Sequence, residues 1–303
     1  MNPTFDFQRN YDVLVAGAGV AGVAAALQAA RMGLRTALIE KTVLIGGLAT
    51  TGLIYIYLPL CDGRGRQVTF GIAEELLRLS IKYGPGDVPA GWRTPGEHEE
   101  RRRYRVAFSP AAFILALDEA LEQAGVTLWL DTLVCRPVLE GERIVGLEVE
   151  NKSGRGRLSA GCIVDATGDA DVAFRAGAAC AEGDNWLSLW AIQVSLERAA
   201  KAVASPDAVS LLDVIRVGAD NAGRGAPAGY PKLHGTDGEQ VTRFVMDSRR
   251  LLREHYKAQQ TESGASDRRT LFPTTLPGMA QFRTTRRIVG REQMTDGQHG
   301  LHR

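Results

Sequence analysis

The stretch "DVLVAGAGVAGVAAALQAARMGLRTALIEK", residues 12–41, decides how this chain is built. It carries 18 uncharged residues in a row, positions 13–30, which invites three readings: a membrane anchor, a secretion signal, or a place where backbone holds a phosphate. A spanning helix needs about 20 strongly apolar residues. This run is mostly Ala and Gly, contains Gln28, and crowds three glycines between positions 17 and 22. A secretory signal needs a basic start and a compact apolar run, whereas "MNPTFDFQRNYD" offers one Arg among acidic and polar residues. The phosphate reading is the one the residues favour.

Residues 11–15 are β-branched and apolar and end at glycines, the pattern of a buried parallel strand. Residues 20–32, rich in Ala, Leu and Gln, predict a helix, with Gly33 where a left-handed C-terminal cap belongs. "RTALIE", residues 35–40, predicts the next strand, and the whole makes a βαβ unit of about 30 residues. Gly17, Gly19 and Gly22 form G-x-G-x-x-G at its first turn. Gly17 permits the tight turn, Gly19 lets backbone approach a pyrophosphate, and Gly22 lets helix pack close on strand. The helix start supplies N–H groups and the positive end of its dipole. Glu40 lies 18 residues past Gly22, at the end of the second strand, where a carboxylate accepts ribose hydroxyl protons and disfavours a 2′-phosphate, which argues against NADP. Strand, loop, helix, second strand and acid in register specify a dinucleotide cradle far better than the glycines alone.

A length of 303 residues suggests about two structural units. Hydrophobic content of 45% with 23% charge is ordinary globular usage, and a net charge of +1 gives no global field for nucleic acid or an anionic membrane. Cys61, Cys135, Cys162 and Cys180 are far apart and form no C-x-x-C pair, so neither a disulfide framework nor a zinc site is indicated and a cytoplasmic setting is expected. The histidines show no metal-ligand spacing.

Downstream, residues 68–82 have a helical period ended by Gly84-Pro85, and residues 84–105 read as a long polar surface loop. Ser109-Pro110 is an N-cap with proline in the first turn of a helix that Gly125 stops, and a strand follows at 126–130. Residues 134–158 read as a small antiparallel meander, after which "CIVDATGD", residues 162–169, returns as a buried strand running into a tight turn. The expected fold class is α/β: a Rossmann-like domain with a parallel central sheet and a small antiparallel meander over residues 1–185. A substrate cap follows over 186–278, with an alternating strand at 187–196 and a long amphipathic helix carrying Val241, Phe244, Val245, Leu251, Leu252 and Tyr256. Residues 279–303 return to the first domain.

A simple NAD domain goes from its second strand into another crossover; here Glu40 leads directly into "KTVLIGGLATTG". Gly46-Gly47 allow a second close backbone approach to an elongated cofactor. With "GAGVAGVAAA", "IEK", "GGLAT", "GIAEELL", "GVTLWLDTLV", "IVDATGDADVAFRAGA" and "FRTTRRIVG" in this order, the sequence resembles the FAD-dependent oxidoreductases of the glutathione-reductase-like flavoprotein superfamily and is similar to fumarate reductase flavoproteins. The resemblance implies FAD as cofactor. It places Gly17, Gly19 and Gly22 at the pyrophosphate, Glu40 at the adenosine ribose and Lys41 at its periphery. Gly46, Gly47, Thr50 and Thr51 would line the path to the flavin, the Val134 backbone would meet the adenine, and Thr167, Gly168 and Asp169 would form the second cofactor-side turn. Two local roles compete: the Thr50 and Thr51 hydroxyls could cap turns, and Asp169 could cap the helix starting near Asp171.

The implied activity is hydride transfer between flavin and a small organic substrate that the sequence does not identify; catalytic residues and oligomeric state stay unspecified. An NAD-dependent dehydrogenase and a catalytically inactive binding module are the alternatives. No nucleic-acid or membrane partner is expected, since in "EHEERRRYR", residues 97–105, the acidic half cancels much of the basic field. Arg283, Arg286 and Arg287 either meet flavin or carboxylates, or form salt bridges. His234 is a loop histidine with no identifiable partner, and Cys61 follows the flavin-side loop. By the same resemblance, relatives continue past "FRTTRR" into an Ala- and Gly-rich helix that closes over the flavin, so "GREQMTDGQHGLHR" carries the expectation of a chain truncated at its C-terminus.

Overall fold

The computed structural model describes residues 4–57, 60–62, 66–89, 105–205, 208–220, 222–260 and 267–292. Most of the expected 84–105 loop, the run 97–105 except Arg105, His98, His299, His302 and the terminal segment past 292 lie outside the described residues.

The opening stretch folds as its pattern predicts. Strand β1 (Phe7–Ala16), helix α1 (Val20–Arg31) and strand β2 (Thr36–Ile39) form the βαβ unit, with Val13 opposite Thr36 and Ala16 opposite Ile39 in a parallel ladder. Gly33 takes φ +81°, the left-handed conformation that ends the helix cheaply only for glycine. Next come β3 (Ile56–Tyr57), α2 (Ile72–Ser80), β4 (Val106–Ala107), which pairs with β3, and α3 (Pro110–Gln123). The Ser109 hydroxyl accepts from the Ala112 N–H, with Pro110 in the first turn, as expected. Helix α2 starts four residues later than its apolar period suggests: Gly71, at φ +66°, breaks the helical path, and Val68 and Phe70 are left exposed before it.

Strands β5 (Thr127–Trp129), β6 (Leu133–Glu140), β7 (Arg143–Asn151) and β8 (Gly154–Asp165) complete a six-stranded sheet in the order β5-β2-β1-β8-β7-β6. The first four strands are parallel; β7 and β6 join antiparallel. The expected meander and the strand at "CIVD" are thus one structure, because β8 is continuous and pairs with β7 through its first half and with β1 along most of its length.

Both faces of this sheet are covered, which explains the unbroken apolar run in β1. Val13 and Val15 face a layer with Val23 and Leu27 of α1 and Phe113, Leu117 and Leu121 of α3. Their neighbours Leu14 and Ala16 point the other way, onto Ile39, Leu147, Val149, Leu158 and Val172, the last on helix α4 (Asp171–Arg175). Alternation along one strand therefore feeds two cores.

Beyond α4 come β9 (Cys180–Glu182), β10 (Asp184–Asn185), β11 (Ser188–Ser195), α5 (Leu196–Ala204), β12 (Asp213–Gly218), β13 (Leu233–His234), α6 (Gly238–Gln259), β14 (Leu271–Thr275) and β15 (Arg286–Ile288). β12-β11-β14 is an antiparallel sheet, and α6 packs Leu252 and Tyr256 on Leu189, Ala191 and Leu271. β15 then returns to pair with β9. Two amides, buried Asn185 and half-buried Gln281, tie the return together. Asn185 donates to the Thr284 and Leu233 carbonyls and accepts from the Arg283 and Thr284 N–H groups. Gln281 accepts from the Trp190 N–H at 2.7 Å and donates to the Trp190 and Gly52 carbonyls.

Candidate cofactor site

Three turns converge at the carboxyl ends of β1, β2 and β8, where open α/β sheets bind their ligands. At the first turn Gly17 takes φ +94°, and a Cβ there would lie 2.5 Å from the Ala166 carbonyl oxygen. A Cβ on Gly22 would lie 1.9 Å from the Gly17 oxygen. Both positions exclude side chains because helix, loop and β8 touch through backbone. Gly19 is different: it is the N-cap of α1, no side chain caps it, and a Cβ there would meet nothing within 4 Å. The start of α1 thus faces open space.

Glu40 turns toward that helix start. Its Oε2 accepts from the Ala18 N–H at 3.0 Å, and its Oε1 accepts from the Thr42 N–H and hydroxyl at 3.0 and 3.1 Å. A carboxylate offers about four lone-pair sites. Two are used by N–H groups, and the single Thr42 hydroxyl proton is shared between Oε1 and the Leu44 carbonyl at 3.0 Å, so the open capacity lies mainly at Oε2.

The Gly46-Gly47 segment packs on the glycine loop. The Gly46 N–H donates to the Ala18 carbonyl at 2.7 Å, and a Cβ on Gly47 would lie 2.9 Å from the Gly19 Cα. The Thr50 and Thr51 side chains follow the local alternative: Thr50 donates to the Ile45 carbonyl and Thr51 to the Gly47 carbonyl, holding the turn Gly47–Ala49. Val20, Val43, Leu44 and Leu48 stay exposed beside the cradle, apolar surface of the kind that marks a binding site when contiguous.

In the turn after β8, Asp165 is an organising residue that motif reading passed over. It accepts from the Thr167 N–H and hydroxyl and from the Ala173 N–H at 2.9 Å, while the Thr167 hydroxyl accepts from the Asp171 N–H. The signal was local: an Asp that bonds the N–H two residues on makes an Asx-turn. These groups serve the start of α4, so Asp169 is not its cap; the N-cap residue is Ala170, in a left-handed conformation. Burial pushes the Asp169 carboxyl above the usual carboxylate range, against the pull of Thr285, Lys41 and Arg286. Gly168 is exposed at φ +83°, and the Val134 carbonyl accepts from Arg175 at 3.0 Å.

Arg286 takes the salt-bridge alternative. Its guanidinium stacks 3.7 Å from the Phe174 ring centre and reaches Asp171 at 3.2 Å and Glu182 at 3.0 Å. Arg283 and Arg287 are exposed, as is His234. Cys61 packs with Leu77 and Val106 rather than against the glycine loop. Among the described residues there is no group of three or more potential metal ligands and no helix long and apolar enough to cross a membrane.

An uncapped helix tip, glycines at each backbone contact and an acid closing the second strand define a dinucleotide-binding protein of the α/β class. The chain belongs to the FAD-dependent oxidoreductase family, whose model matches residues 12–189, and FAD is the cofactor of that family. It is similar to a digeranylgeranylglycerophospholipid reductase of Picrophilus torridus, 33% identical over 149 residues, which cover 48% of this chain and 36% of that protein. A thioredoxin reductase of Ureaplasma parvum is 35% identical over 74 residues, 24% of each chain. Among solved structures, a geranylgeranyl bacteriochlorophyll reductase-like protein of Thermoplasma acidophilum matches with a TM-score of 0.44 at 21% identity, covering 62% of this chain and 48% of that one. The chain spans about a third of the length of the first curated relative and a quarter of the second.

Proposed function

We propose that this chain binds FAD and moves a hydride between the flavin and a small organic substrate held under a cap. The cofactor supplies the redox chemistry, and the protein supplies position and electrostatics. Gly19 and the N–H groups that open α1 would hold the diphosphate, with the helix dipole offsetting its charge. Glu40 would take one ribose hydroxyl at Oε2. Gly46 and Gly47 would allow the extended cofactor to run past the loop, with Thr50 and Thr51 stiffening that turn. Lys41 would sit at the ribose periphery, Thr167, Gly168 and Asp169 would bound the second turn, and Val134 would present backbone to the adenine. Residues 186–278 would form the substrate cap.

The observation that carries this reading is the uncapped α1 tip facing open space at Gly19. Gly19→Leu tests it, because a Cβ there meets nothing within 4 Å and the side chain beyond it enters the proposed phosphate position. Wild-type protein is expected to purify yellow and release FAD on denaturation. The variant should keep the melting midpoint of the apo-protein and lose FAD affinity by at least about a hundredfold, the loss of roughly 2.7 kcal/mol. Equal FAD binding by the variant, or a colourless wild type stabilised by NAD instead, overturns the reading.

A further inference from the structure

Between α6, the start of β11 and residues 277–281 lies a cavity of about 230 Å³, below the ~300–1,000 Å³ of sites for drug-sized ligands. Its walls include Leu189, Phe244, Val245 and Met279, and its polar side includes Ser248 and Arg249. Ser248 is 1% exposed, and its Oγ is the buried side-chain polar atom left without a hydrogen-bond partner among the described residues. A serine inside a helix ordinarily returns its hydroxyl to the carbonyl four residues back; this one does not, and a buried unsatisfied hydroxyl costs about 1–3 kcal/mol.

Arg249 is half-buried beside it. The neighbouring arginines of α6 are spoken for: Arg243 and Arg250 both reach Asp247, at 3.4 and 3.1 Å. Arg249 has no such ion pair among the described residues, and no Asp or Glu lines the cavity. Gln281, also in the lining, has its amide occupied by Trp190 and Gly52. The cavity therefore presents one uncompensated guanidinium, one unpaired hydroxyl and an apolar wall. An arginine fork matches a carboxylate, and the apolar wall matches a hydrocarbon body. The cavity also adjoins the cofactor-side loop, since the Gly278 N–H donates to the Thr51 carbonyl at 2.8 Å and the Thr51 hydroxyl lies 3.4 Å from the Met279 sulfur.

We infer that this cavity is the substrate subsite of the cap and that it takes a small monocarboxylate with an apolar body, the carboxylate forked by Arg249 and hydrogen-bonded by Ser248. The role as substrate, though not the binding, rests on the flavoenzyme reading.

Calorimetric titration of the full chain with benzoate, phenylacetate and 4-methylpentanoate, each beside its neutral amide, tests the site. At least one acid should bind ten times or more tightly than its amide. Arg249→Gln should erase that preference, Arg249→Lys should recover part of it, and Ser248→Ala should weaken the acid several-fold. Because Arg249 is partly exposed, its variants should melt with the wild type, so the result does not depend on Ser248→Ala folding. If no acid is preferred over its amide, or if Arg249→Gln binds the acids as wild type does, the inference falls while FAD binding still stands. Arg249-dependent binding by a protein that takes up no FAD keeps the carboxylate site and removes its role as substrate subsite.

Discussion

The glycine turn and the cap solve the same problem, packing a helix on a sheet, by opposite means. At the turn, α1 meets β1 and β8 through backbone, with Gly22 and Gly17 so close that no side chain fits between them. In the cap, α6 meets its sheet through Leu252 and Tyr256, and a void remains beside Phe244 and Ser248. Backbone contact leaves a motif that spacing reveals; side-chain contact leaves only apolar periodicity, which many sequences satisfy equally well. The first contact therefore leaves no room for side chains, whereas the second is made by side chains with space left between them.

The most damaging way to test this contrast is Gly22→Ala. The added Cβ would sit 1.9 Å from the Gly17 oxygen, a backbone atom that moves only with β1. Overpacking costs about 1–3 kcal/mol and sometimes more, and this site belongs at the top of that range. Urea denaturation should show the loss, and FAD uptake should vanish with it. A midpoint near wild type would mean that the turn relaxes and that the rigidity inferred for it is absent.

Arg286→Met comes next, because that guanidinium ties the returning strand β15 to α4 and β9 outside the cap. Its side chain is 7% exposed while holding Asp171 of α4 and Glu182 of β9. Methionine keeps the contact with Phe174 and leaves the carboxylates without their cation, so the melting midpoint should fall by several degrees, less than for Gly22→Ala. Glu182 adds a pH signature. Its carboxyl is held below the usual range, first by the Arg286 hydrogen bond and then by Thr236. A depressed carboxylate contributes stability above its unfolded pKa and loses it as pH falls through the folded value. The gap between wild type and variant should accordingly narrow on acidification below about pH 4.3.

How much of this was legible beforehand follows from the range of each interaction. Gly17, Gly19, Gly22 and Glu40 lie within one βαβ unit, and local spacing suffices to place them. The Ser109 cap and the Gly33 stop are local as well. The fusion of meander and parallel strand into β8 was not visible, because "GRGR" has the composition of a turn, yet it pairs with its neighbour β7 and continues into a strand that pairs with β1, some 150 residues away. Asn185 and Gln281 were equally hidden: their partners Thr284 and Trp190 lie 99 and 91 residues away. The Ser248 hydroxyl had no signature at all, since a missing partner is a property of the packed state.

Glu40→Gln sharpens the account of the cradle with a smaller expected effect. The carboxylate now accepts the N–H groups of Ala18 and Thr42 on separate oxygens, whereas an amide has one acceptor oxygen and brings two donors of its own. One N–H of the loop must lose its partner, and the remaining site for ribose is weakened. FAD affinity measured by fluorescence titration of the apo-protein should fall about tenfold, or ~1.4 kcal/mol. Unchanged affinity would make Glu40 a buttress of the loop with no part in holding the sugar.

The mildest test concerns the cap alone. The Tyr256 hydroxyl donates to the Gln193 side chain at 2.7 Å, and Gln193 donates to Asp213 at 3.0 Å, pinning α6 to β11 and β12. Burial, reinforced by the Asp213 charge, pushes the Tyr256 pKa up to about 12. The folded state thus holds the phenol proton more tightly than the unfolded chain, whose tyrosines titrate near 10. Between those values the unfolded state binds fewer protons, so stability falls as pH rises. At pH 7, Tyr256→Phe should cost about 1 kcal/mol for the lost hydrogen bond. Above pH 10 the wild type should lose stability that the variant, with no proton to release, retains, and their denaturation midpoints should converge toward pH 12. Parallel curves through that window would show that the hydroxyl is solvated and that α6 is held by Leu252 and its apolar neighbours alone.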